Sequence, residues 1–219
     1  MIDTAKLAYG TLNTLRNVLV HQLERISALH VFEHGFEGWW KVKFLTALNS
    51  YSFSSDYDNH YQVRPEQNPK TYGIEGDFPD KYVDIMVGPW SEGEKTIIAN
   101  QTPRVWVEIK TATAKKKDFT SCINQLKIDL VKWSNASWDQ DDVVISCLVL
   151  LYYSSDANRW QLPSGWLASL DEVSQSYPRF LPNLRVACPA FDQDDPRSDV
   201  CVSIDFFTIH GSQFIHKLD

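Results

Sequence analysis

The run Val105-Trp106-Val107-Glu108-Ile109-Lys110 sets a carboxylate and an amine two positions apart on an apolar stretch. Alternate side chains of a strand share a face, so Glu108 and Lys110 point with Trp106, while Val105, Val107 and Ile109 point into a core. Core packing gives no reason to set an acid beside an ammonium. Metal chemistry does: a hard divalent cation takes carboxylate oxygens, and a neighbouring lysine holds or polarises a water. Upstream, Tyr82-Val83-Asp84-Ile85-Met86-Val87 reads as a second strand carrying another carboxylate. The plain alternative is a solvent-facing charge pair on an edge strand, worth little energetically. Two features favour chemistry: no other acid-x-lysine occurs in the chain, and this one closes a strongly β-like run.

The elements around these residues follow from periodicity. Leu12, Leu15, Leu19, Leu23, Ile26 and Leu29 recur at three- and four-residue spacing, which predicts a long helix over residues 4 to 29. Packing inside the monomer is the expected use of its stripe, with a homodimer as the alternative. A second helix is expected to start between Gly35 and Gly38, carrying Glu37 and then Trp40, Phe44, Leu45 and Leu48 on its inner face. Residues 49 to 80 read as loops around a short strand near Tyr61 to Arg64, and Lys95 to Ile98 as part of a hairpin extension. Phe119 to Trp133 is helical, with Cys122, Leu126, Leu130 and Trp133 on one face. Val143 to Tyr153 is apolar on both faces, as a central strand covered by helices should be. A helix near Trp166 to Ser176 and strands near Leu184 to Ala187 and Val200 to Phe207 follow.

Asp84 followed by Glu108-Ile109-Lys110 resembles the PD-(D/E)XK nuclease superfamily, over roughly residues 30 to 153. The resemblance implies an α/β fold, a central mixed sheet flanked by helices with a restriction-endonuclease-like αβββαβ core. Length and the lack of a clean boundary point to one domain over 1–219: an N-terminal helix (1–30), the core (31–153) that carries the resemblance, and a C-terminal α/β elaboration (154–219). The resemblance further implies a site of Glu37, Asp84, Glu108 and Lys110. Asp84, Glu108, the Ile109 carbonyl and Glu37 would ligate Mg²⁺ or Mn²⁺, and Lys110 would act on the attacking water. The implied activity is metal-dependent phosphodiester hydrolysis, with DNA as the expected substrate. A literal Pro-Asp stands at Pro79-Asp80, which leaves Asp80 as an alternative ligand; Asp84 is preferred because its neighbours alternate with it. Some members carry a glutamine on the following helix, here Gln125, and a tyrosine four residues later, where this chain has Asp129.

Lys115, Lys116 and Lys117 form a basic run next to the Glu-x-Lys strand, suited to backbone phosphates or simply to solvent. The net charge of −7 provides no global field for nucleic acid, although bound cations would offset acids where phosphate arrives. His30-Val31-Phe32-Glu33-His34 matches the inverted zinc-peptidase pattern, in which His30 and His34 would bind zinc and Glu33 act as base. Gly35 immediately after it disfavours the helix that both ligands need. A third alternative is an inert protein on the nuclease fold that binds nucleic acid or a protein partner. With 219 residues, 43% hydrophobic content and four cysteines without paired spacing, one sizeable core holding reduced thiols is expected. No apolar run is long enough to span a bilayer, so the expectation is a cytoplasmic protein without a membrane partner.

Overall fold

The structure, a computed structural model, describes residues 3–21, 36–50, 60–77, 81–91, 96–97, 103–112, 116–154, 162, 164–189 and 199–215. Its elements in chain order are α1 (Thr4–His21), α2 (Phe36–Ser50), β1 (His60–Gln67), β2 (Val83–Ser91), β3 (Thr96–Ile97) and β4 (Val105–Ala112). Then come α3 (Lys116–Ser134), β5 (Val143–Ser154), α4 (Ser164–Ser174), β6 (Arg179–Pro189), β7 (Asp199–His210) and the short α5 (Ser212–Ile215).

One mixed sheet runs in the order β1-β2-β4-β5-β7-β6, with the two-residue β3 extending β2. β1, β2 and β4 form an antiparallel meander. β4 and β5 are parallel, a pairing that requires a crossover, and α3 supplies it. β7 and β6 continue antiparallel on the far side. Pro182 falls on edge strand β6 inside a register irregularity between Phe180 and Leu184, where a missing amide donor is tolerated.

β5 shows why the sheet lies between helices. Val143, Ile145, Cys147, Val149 and Leu151 join Leu7, Leu12, Leu15, Trp40, Phe44 and Leu48 of α1 and α2 in one core. Leu148 and Leu150 point the other way, against Leu126 and Leu130 of α3 and Leu170 of α4. A strand buried on both faces must be apolar throughout, as the sequence of β5 is. The described part of the N-terminal stripe is used inside the chain, where Leu12 and Leu15 are fully buried; residues 22–29 lie outside the described part. α2 begins where the flanking glycines imply, and Trp40, Phe44 and Leu48 form its inner face, while Leu45 packs on it only in part.

β4 runs two residues past Lys110: Thr111 and Ala112 still pair with Val149 and Leu150. On its other side, pairing with β2 stops at Val107, opposite Ile85. The sheet thus opens between β2 and β4 just where Asp84 and Glu108 face each other. At the opposite end, Gly211 (φ 78°) turns the chain so closely that a Cβ there would lie 2.6 Å from the Asp142 carbonyl oxygen. Only glycine suits that left-handed, crowded turn. Among the described residues no helix is long and apolar enough to cross a membrane.

Candidate metal centre

Continuing the β2–β4 register past Ile85–Val107 sets Asp84 directly opposite Glu108, so the two acids share one face. Because the ladder has ended, the Ile109 amide has no strand partner from β2. Asp84 replaces it: the Ile109 N–H donates to Asp84 Oδ2 at 2.7 Å. The carboxylate of Asp84 is anchored to the backbone between Glu108 and Lys110.

Two further elements close over the gap. From α2, Lys41 Nζ lies 2.6 Å from Asp84 Oδ1 and 3.0 Å from Glu37 Oε1. From α3, Asp129 lies 3.1 Å from Lys110, which in turn donates to Glu108 Oε1 at 2.8 Å. Gln125 Nε2 donates to Asp129 Oδ2 at 3.3 Å, and Lys132 Nζ to its other oxygen at 3.1 Å. Positions 125, 129 and 132 are four and three residues apart, hence one face of the helix. Four carboxylates and three ammoniums meet here, and the surplus is negative.

The charges do not neutralise evenly. Burial, the neighbouring Asp84 charge and Asp129 push Glu108 up to about 7, against the pull of Lys110. Burial also raises Asp84, over the opposing hydrogen bonds from Lys41 and the Ile109 amide. Burial alone would lower Lys110, but Glu108 and Asp129 together hold its ammonium well above the ordinary lysine range. Two acids secure the lysine charge, while Glu108 has one ammonium for it and two carboxylates, Asp84 and Asp129, against it. Lys41 follows the same logic, lowered by burial yet raised overall by Asp84 and Glu37. Asp129 goes down, because Lys110 and Lys132 outweigh its burial. Cys122 of α3, near Lys110 and Glu37, is pushed up to about 12 by burial and is an inert thiol.

Glu108 Oε2 is buried and has no hydrogen-bond partner among the described residues. Its neighbour across the parallel ladder, Ser146, is buried too, and the Ser146 hydroxyl is likewise without a partner. A buried carboxylate oxygen left open costs free energy unless something external completes it. No group of three or more His, Cys, Asp or Glu among the described residues is arranged as a ready-made metal cage. The donor set nevertheless fits Mg²⁺ or Mn²⁺: such ions keep several waters and take one or two carboxylates, here Asp84 and Glu108, rather than a full protein shell.

The four residues singled out in the sequence, Glu37, Asp84, Glu108 and Lys110, therefore converge, Glu37 by way of Lys41. Asp80, Lys115 and the His30-Glu33-His34 motif lie outside the described residues. Lys116 and Lys117 are the first two residues of α3. Sequence reasoning missed Lys41 and Lys132 and saw Asp129 only as a missing tyrosine. Lys41 had a signal, a glutamate four residues before it on a predicted helix. Compared with family models, with curated proteins and with solved structures, the chain finds no match.

Proposed function

We propose that this protein is a divalent-metal-dependent nuclease that hydrolyses phosphodiester bonds, with DNA as the expected substrate. The observation that carries the proposal is the buried Oε2 of Glu108, without a hydrogen-bond partner among the described residues, on a residue that the register sets opposite Asp84 where β2 and β4 part. The order α2-β1-β2-β4-α3-β5, a meander followed by a parallel strand, supports a restriction-endonuclease-like core. A bound Mg²⁺ or Mn²⁺ supplies Lewis acidity toward a phosphoryl oxygen and lowers the pKa of water. Asp84 and Glu108 would hold the ion, with the Ile109 carbonyl as a further oxygen donor.

Lys110 keeps its proton, so its task is to orient the attacking water and to offset charge developing on the phosphate. Asp129 fixes that ammonium from the helix side, and Gln125 and Lys132 fix Asp129. Lys116 and Lys117 are the first two residues of α3, the helix that carries Asp129, and would meet backbone phosphates.

A second reading is an inert nuclease-fold protein that binds nucleic acid or a protein partner without turnover. The observation favouring it is the Lys41 ammonium seated between Glu37 and Asp84, which a permanently metal-free descendant would use as a substitute cation. Plasmid cleavage separates the two. Purified protein should nick or degrade supercoiled DNA with Mg²⁺ or Mn²⁺ and stop with chelator, and Lys110→Ala should be inactive. No cleavage with any divalent ion, or full cleavage by Lys110→Ala, overturns the nuclease reading.

A further inference from the structure

We infer that Lys41 is the resident cation of this site and is exchanged for the divalent ion, retiring onto Glu37 when the ion takes Asp84. This rests on the metal-site reading above and assigns a different role to Glu37: it acts through Lys41 as a positioning residue, not as a ligand.

The geometry defines the exchange. Lys41 bridges an acid of β2 and an acid of its own helix, at 2.6 and 3.0 Å. Both oxygens of Asp84 are engaged, Oδ1 by Lys41 and Oδ2 by the Ile109 amide, so a doubly charged ion arriving at this carboxylate must displace the ammonium, whereas Glu108 keeps Oε2 open beside Lys110. The two anchors differ in exposure. Asp84 is 10% exposed and tied down by the Ile109 amide, whereas Glu37 is 39% exposed at the start of α2. Lys41 itself retains 24% exposure, so it has a path toward solvent.

A glutamate four residues ahead of a lysine is the favourable orientation on a helix. Lys41 can therefore release Asp84 without losing its other partner. Glu37 is the more exposed of the two partners of Lys41, while the buried open oxygen belongs to Glu108. Asp84 and Glu108, not Glu37, form the seat.

Mn²⁺ titration calorimetry on the intact chain tests this without reference to turnover. Lys41→Met removes the competitor and should tighten Mn²⁺ binding by about tenfold, as expected for abolishing a partly buried ion pair that must otherwise be broken. Glu37→Gln should weaken binding, since Lys41 loses its alternative partner and commits to Asp84. The double variant decides the mechanism: if Glu37 acts through Lys41, Glu37→Gln in the Lys41→Met background should change Mn²⁺ affinity less than twofold. A further large loss there would make Glu37 a ligand and overturn the assignment. Equal or weaker binding by Lys41→Met than by the parent overturns the exchange alone. Binding confined to Lys41→Met makes Lys41 a permanent plug and overturns it as well. No Mn²⁺ binding by any variant sinks the metal reading together with this one. Lys41→Gln carries the same expectation if the methionine variant does not fold.

Discussion

β4 has an ion cluster at each end, and the two are built on opposite principles. At its start, Arg104 is fully buried and grips Asp142 through Nε at 3.0 Å and through a second nitrogen at 2.9 Å, with Asp139 on the same nitrogen. Trp106 Nε1 completes Asp142 at 3.2 Å. The Arg104 carbonyl takes the Val143 amide at 2.9 Å, stitching the starts of β4 and β5 together. Planar bidentate pairing with every oxygen engaged is how a buried ion pair offsets its desolvation. At the other end, Glu108 shares a single ammonium with Asp129 and leaves one oxygen open. A cluster that satisfies itself holds the fold; one that remains short of a positive charge is, on the metal-site reading proposed above, the seat of an ion.

Breaking the closed cluster should have the largest effect. Arg104→Met strands a buried Asp142 and should cost about 3–5 kcal/mol, read as a large drop in the denaturation midpoint. Truncating both partners, Arg104→Met with Asp142→Leu, should recover much of that loss. The open cluster should respond in the reverse sense. Glu108→Gln should lower cleavage on the order of 10³-fold, yet leave the protein at least as stable as its parent above neutral pH.

pH sharpens the contrast. Glu108 titrates near 7 in the folded chain against 4.5 as its ordinary value, so the folded state binds this proton more tightly than the unfolded state. Its contribution is fully present below about pH 4.5 and is lost as pH rises through 7, amounting to about 1–3 kcal/mol. Chemical denaturation of the parent and of Glu108→Gln between pH 5 and 8 should show the difference growing in favour of the variant. A parent whose stability matches the variant's across that range would mean that Glu108 is not the strained acid described here. The smallest effect is expected for Asp129→Asn. Lys110 loses one of two anchors, cleavage should fall about tenfold, and Mn²⁺ affinity should stay within twofold, because Asp129 orients the lysine without touching the ion's seat.

What was legible in the chain was whatever depends on local period. Alternation put Glu108 and Lys110 on one face; a run apolar on both faces marked β5 as central; three- and four-residue spacing marked α1 and the inner face of α3. These features repeat every two residues or every turn, and the pattern survives whatever the strand or helix packs against. The alternating neighbours of Asp84 likewise marked its direction on β2. Asp129 illustrates the boundary: its place on the helix was plain, but its pairing with Lys110 was not.

The sequence by itself determined that acids and a lysine lie on two strands facing one way, since side-chain direction is a property of a few consecutive residues. Only the tertiary structure decided that β2 and β4 part company after Ile85 and Val107, that Asp84 takes the amide left over, and that Lys41 and Asp129 reach in from separate helices. Those contacts join residues 19 to 43 positions apart, and they depend on where each helix lies against the sheet. The buried open oxygen of Glu108 is the sum of them all, and no short stretch of chain carries it.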